Sequence, residues 1–157
     1  MNTYFIRAVG QSQETWQTEA LNKYIQRLRP YAKVTVIELH EGHEGATKPN
    51  KEKTQASEAE SLLKSLPADA TIIALDETGK NLSSPELAGK IQNWTDGGRP
   101  IVFVIGGSWG LSEEVRKRAL FTLSFGKHTL PHVLARIVLL EQLYRAETIL
   151  AGKTYHK

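Results

Sequence analysis

Five short runs of β-branched and aromatic residues, separated by stretches with helical spacing, constrain this chain more than any other feature. The runs are Tyr4 to Val9, Val34 to Leu39, Thr71 to Leu75, Ile101 to Ile105 and Phe121 to Phe125. Strands that alternate with helices pair in parallel and are covered on both sides, so the expected fold class is α/β, a mostly parallel sheet with helices on both faces. Between the first two runs, Trp16, Ala20, Leu21, Tyr24, Ile25 and Leu28 recur at helical spacing and Pro30 lies just past them, which predicts a helix packed on the sheet. His40 to Asn50 holds two glycines, a proline and mixed charges and is predicted to be a mobile surface loop, leading into a polar helix over Lys51 to Leu66 that connects rather than reacts. Ser84-Pro85-Glu86 reads as an N-cap, a first-turn proline and an early acid, so a helix is expected from there to about Trp94.

The final helix, Pro131 to about Leu150, carries Val133, Leu134, Ala135, Ile137, Val138, Leu139, Leu140 and Leu143 round nearly its whole circumference. A helix apolar on all sides is buried on all sides. One side can lie on the sheet, and the simplest cover for the other is the same helix of a second subunit across a two-fold axis. A homodimer is therefore expected. Arg136 falls in the most apolar part of this helix, where a guanidinium needs an anion or an interface partner.

At 157 residues with 40% hydrophobic content, the chain is expected to form one domain over residues 1–157 with a substantial core. No apolar run approaches the roughly 18 residues that a membrane span requires. The start, Met1 to Arg7, has an arginine in its only apolar stretch and no cleavage-site pattern, so it does not read as a signal peptide and a cytoplasmic protein is expected. The chain has no cysteine, which removes thiol nucleophiles, disulfides and cysteine-ligated metals. Its net charge of +3 is uneven: residues 111–157 hold 8 Lys/Arg against 4 Asp/Glu, leaving 12 against 13 before them. That bias suits a polyanionic partner, and equally an ordinary solvated surface.

Val102 to Glu114 reads as a buried strand, a glycine turn at Gly106, Gly107 and Gly110, and a helix capped by Ser112. Glycines at the carboxyl end of a parallel strand let a backbone approach a ligand closely. The spacing is neither the dinucleotide nor the phosphate-loop fingerprint, so a structural tight turn stays open beside a binding loop. Leu123 to His132 follows the fifth strand and is expected at the same edge, where its peptide groups could bind an uncharged adenine. His128, His132 and His156 match no common zinc spacing, and no metal site is expected. Asp76-Glu77 could act as a base or hold ribose hydroxyls, but adjacent acids followed by Gly79-Lys80-Asn81 more often begin a solvated loop. Glu141 and Arg145 stand four apart and read as a helical ion pair. No Ser/His/Asp arrangement with a nucleophile elbow is found.

Taken together, AVG at Ala8 to Gly10, FVIGGSWGLS at Phe103 to Ser112, LSFGKHTLPH at Leu123 to His132, the run Arg136 to Ala146 and the closing Tyr155-His156-Lys157 resemble the ribosomal RNA large subunit methyltransferase H family, a minimal SPOUT enzyme, from the first strand to the last residue. The resemblance implies a C-terminal trefoil knot whose loops hold S-adenosylmethionine in a bent shape. It implies cofactor binding by Leu75, Gly106, Phe125, Gly126, Lys127, His128, Thr129 and Leu130. It implies methyl transfer to N3 of a pseudouridine in 23S rRNA of the assembled ribosome, without a metal. Arg136, Tyr155 and His156 are the candidates for holding or deprotonating the target base. Gln11, Gly126 and His128 depart from the family's usual lysine, serine and methionine. The alternatives are a SPOUT methyltransferase acting on transfer RNA and a non-catalytic ribosome-associated nucleotide-binding module.

Overall fold

A computed structural model describes residues 1–43 and 45–157 of the chain. Its strands are β1 (Asn2–Val9), β2 (Ala32–Leu39), β3 (Thr71–Asn81), β4 (Ile101–Ile105) and β5 (Phe121–Ser124), and they form one parallel sheet in the order β2-β1-β4-β3-β5. The helices are α1 (Thr15–Leu28), α2 (Lys51–Leu63), α3 (Ser84–Trp94), α4 (Glu113–Arg118) and α5 (His132–Leu150). The α/β expectation with both faces covered therefore holds.

Side chains alternate along each strand, and that alternation sorts the core into two layers. Tyr4, Ile6, Ala8, Ile73, Leu75, Ile101, Phe103 and Ile105 pack with α1, α3 and α5 on one face. Val9, Ile72, Ala74, Val102 and Val104 pack with Ala59 and Leu62 of α2 and Val115 of α4 on the other. Each central strand is buried on both sides, which is why it reads as a continuous apolar run.

Four expectations shift in detail. Helix α2 stops at Leu63, short of Leu66, because Arg7 on β1 donates to the carbonyls of Leu62 (3.0 Å), Lys64 (2.5 Å) and Ser65 (3.2 Å), and Ser65 takes a left-handed φ of 53°. The cap of α3 is Ser83 rather than Ser84: its hydroxyl accepts from the Glu86 N–H (3.2 Å) while the Glu86 carboxylate accepts from the Ser83 N–H (2.7 Å), the reciprocal capping box. Asp76-Glu77 does not begin a solvated loop. β3 continues to Asn81, with Leu123 of β5 meeting both Leu75 and Lys80, so residues 76–79 bulge from the ladder. Gly79 is required there, since a Cβ would lie 2.6 Å from the Thr122 carbonyl oxygen. Finally, the segment predicted as a mobile loop over His40 to Asn50 is tethered at its start, where the Gly42 N–H donates to Glu58 of α2 (3.0 Å); Glu44 of that segment lies outside the described residues.

Candidate active site at the carboxyl edge of the sheet

Leu75, Ile105 and Leu123 lie at or next to the carboxyl ends of the central pairing of β3, β4 and β5. They open onto a cleft of about 1000 Å³, the position where open parallel sheets take ligands. The glycine turn after β4 forms one wall. Gly107 and Gly110 bridge each other, with the Gly110 N–H donating to the Gly107 carbonyl (2.9 Å). A Cβ on Gly106 would lie 2.6 Å from the Gly110 carbonyl carbon, and one on Gly107 would lie 2.9 Å from the Glu58 carboxylate. The turn is therefore closed at a spacing only glycine allows. Glu58 is buried, and that burial pushes its carboxyl above the usual glutamate range, against the hydrogen bonds from the Gly42 and Gly107 backbones.

The loop after β5 forms the second wall. Gly126 has φ 124°, and the Ser124 hydroxyl holds it by accepting from the Gly126 N–H (3.0 Å) and lying 2.8 Å from the Gly126 carbonyl. The Thr129 hydroxyl donates to the Glu77 carboxylate (2.5 Å). Asp76 accepts from the Thr78 N–H (2.9 Å) and pairs with Arg116 of α4 (3.3 Å), whose other nitrogen meets Glu113 (2.8 Å). The two acids that looked like a base or a ribose holder thus also brace the bulge and the second loop.

Of the expected cofactor residues, Leu75, Gly106, Phe125, Gly126, His128, Thr129 and Leu130 line this one cleft, and Lys127 sits in the same loop without lining it. Sequence reasoning missed Glu41, Lys51, Gln55 and Trp109, which also line it. The polar helix α2 carries two of these, and its weak amphipathicity offered no signal. His132 lines the cleft as well. Its Nδ1 lies 2.5 Å from Arg136 Nη2, and because guanidinium only donates, Nδ1 accepts and the neutral ring carries its hydrogen on Nε2. Burial, then the adjacent Arg136 charge, pulls the His132 pKa down. His132 is therefore a neutral donor at neutral pH, not a proton acceptor.

The three residues proposed to handle the target base are not brought together within one chain. Arg136 is fully buried, donating to Glu38 of β2 (2.6 Å) and to the Gly10 carbonyl (2.9 Å), so its anion comes from its own chain. Tyr155 and His156 lie nine and ten residues further than Ala146, folded back against α5: the Tyr155 hydroxyl donates to Glu141 (3.1 Å) and His156 Nδ1 lies 3.2 Å from Arg145. Arg145 pairs with Glu141 as predicted (2.6 Å) but also stacks on the Tyr155 ring at 4.7 Å. Read only as an ion pair in the sequence, Arg145 is the cation of this second cluster. At about 1.5 Å per residue, it stands about 14 Å along α5 from Arg136. Among the described residues, no group of His, Asp and Glu side chains could hold a metal ion, and no helix is long and apolar enough to cross a membrane.

Comparison with known proteins adds a family to this geometry. Residues 2–156 match the family model described as "Predicted SPOUT methyltransferase". The chain is 44% identical over 155 residues to the ribosomal RNA large subunit methyltransferase H of Carboxydothermus hydrogenoformans, covering 97% of this chain and 98% of that protein. It is also 44% identical to the protein of the same name from Anaeromyxobacter sp., over 152 residues and 96% of each chain. A solved structure described as a probable methylase family protein from Haemophilus influenzae superposes with a TM-score of 0.55 at 14% identity, covering 98% of this chain and 70% of that one. A probable rRNA-methyltransferase from Porphyromonas gingivalis superposes at 0.57 and 14% identity, covering 95% and 70%. At that identity the two structures speak to the fold alone.

Proposed function

The chain belongs to the SPOUT methyltransferase family, and from that membership we propose that it transfers a methyl group from S-adenosylmethionine to N3 of a pseudouridine in 23S rRNA of the assembled ribosome. We further propose that it is one domain over residues 1–157, knotted at its C-terminal end, and works as a homodimer in the cytoplasm. The observation that carries the reading is the cleft at the carboxyl edge, where seven of the eight expected cofactor residues converge.

The cleft suits such a group on physical grounds. Its walls are two glycine-containing loops: Gln55 and Ser124 hold their backbones, Gly107 packs against the Glu58 carboxylate, and Glu77 holds the Thr129 hydroxyl, so peptide N–H and C=O groups are available to an adenine without a charged fingerprint. Leu75, Ile105, Leu123 and Phe125 supply its apolar lining. When bound, S-adenosylmethionine supplies a methyl on a sulfonium leaving group, so the protein's work is alignment and management of the N3 proton. His132 does not take that proton, because its Nδ1 already accepts from Arg136. Since neither Tyr155 nor His156 lines its own chain's cleft, their proposed contact with the base belongs at the cleft of a second protomer. Support for the dimer comes from α5, where Leu134 and Leu150 remain exposed and Ile137 and Val138 only half-buried within one chain.

Transfer of labelled methyl from S-adenosylmethionine to ribosomes isolated from cells lacking this gene, followed by mass mapping of the nucleosides, tests the reading. Methyl on one 23S pseudouridine is expected. Label on bulk transfer RNA instead, with bare ribosomes, would move the substrate assignment to transfer RNA; ribosome binding without any transfer would point to the non-catalytic module.

A further inference from the structure

Resting on the reading just given, we propose that Trp109 is a stacking platform for an RNA base at the mouth of the cleft. Trp109 lines the cleft yet remains 39% exposed, and it belongs to neither layer of the core. Phe125, the other aromatic of the lining except for the histidines, packs against the core instead. Trp94 shows what a structural tryptophan looks like in this fold: it is 7% exposed and its ring meets Phe121 at 5.3 Å.

The backbone beneath Trp109 is fixed from both sides. The Gln55 side chain of α2 donates to the Trp109 carbonyl (2.9 Å), and the Gly107–Gly110 bridge closes the turn that carries it. The His43 ring stands against the indole at 6.1 Å and 59°. Lys51, exposed and also lining the cleft, supplies a cation for a neighbouring phosphate. A large exposed aromatic face on a fixed turn, in a cleft that also carries a cation, is an arrangement by which proteins hold unstacked bases, and because every base has a π-face it gives affinity rather than base identity. A methyl acceptor in RNA must leave its stack to reach a reacting group in a cleft, and an exposed ring at the rim replaces the neighbour that the base, or the nucleotide beside it, gives up.

The test compares the full-length wild type with Trp109→Ala and Trp109→Phe. Three quantities are read: cofactor Kd by calorimetry, ribosome KM in methyl transfer, and quenching of intrinsic fluorescence by a short single-stranded oligoribonucleotide. Trp109→Ala is expected to raise the ribosome KM about tenfold or more with the cofactor Kd within twofold, Trp109→Phe to recover most of that loss, and the quenching to vanish in both variants. An unchanged ribosome KM with quenching retained overturns the proposal, and so does a tenfold weaker cofactor Kd in Trp109→Ala, which would mean that the ring covers the cofactor. If the wild type transfers no methyl to ribosomes, the functional reading fails while the quenching still decides the platform.

Discussion

Gly10 just past β1, Glu38 of β2, and His132 and Arg136 of α5 form one tightly packed polar cluster. Arg136 has no exposed surface, whereas the Glu38 side chain keeps 32% exposure. The pair therefore sits between a surface bridge, which contributes little, and a fully buried one, whose broken form leaves an uncompensated charge. Glu38→Gln is expected to destabilise the fold by about 2 kcal/mol, read as a lower denaturant midpoint at unchanged slope. Burial alone would raise the Glu38 pKa, but the hydrogen bonds from Arg136 and the Ser12 N–H outweigh it and hold the carboxyl below its usual range. The contribution is thus fully present above the ordinary glutamate value of about 4.3 and is lost as pH falls through the folded-state value. The stability gap between wild type and Glu38→Gln should accordingly close on acidification; a gap that widens would refute the pairing. Gly10→Ala is a second expectation, since φ is 99° and a Cβ would lie 2.5 Å from the His132 ring. It should cost about 2 kcal/mol or more of stability by thermal unfolding.

Among the elements, α5 explains the most. Its apolar circumference pointed to burial on every side, and the fold supplies the sheet below with α1 and α3 packed against it. Leu134, 38% exposed, is left over. If α5 is the dimer seam as proposed, Leu134→Glu should convert a dimer to a folded monomer in light scattering at micromolar concentration, with circular dichroism unchanged; a wild-type monomer would sink the dimer. The element least legible in advance is the far half of β3. Gly79, Lys80 and Asn81 are poor strand formers in isolation, and only the second pairing with β5, made possible by the close approach at Gly79, draws them into the sheet. Helix α2 was equally opaque, because what matters there is which polar side chains face the glycine turn, and a nearly all-polar helix does not reveal its inner face.

For the whole molecule, the proposed dimer makes the two ends of α5 parts of one site. His156→Ala should lower turnover at least tenfold, because its proposed place is against the target base at a second protomer's cleft rather than in its own; full turnover would remove it from the reaction. Much of this protein was determined by sequence alone: five strands, helices on both faces of the sheet, the glycine turn and both loops at the carboxyl edge. Those features follow from local periodicity and turn chemistry, which act over a few residues. Tertiary structure alone decided the strand order, the bulge after Leu75, and that Arg136 finds its anion 98 residues away on β2. It also decided that Arg145 gathers Tyr155 and His156, and that Gln55 and Glu58 brace the turn beneath Trp109. These pairings depend on how crossovers bring distant segments to one edge, and sequence spacing carries no signature of which polar groups will meet once the apolar layers have closed.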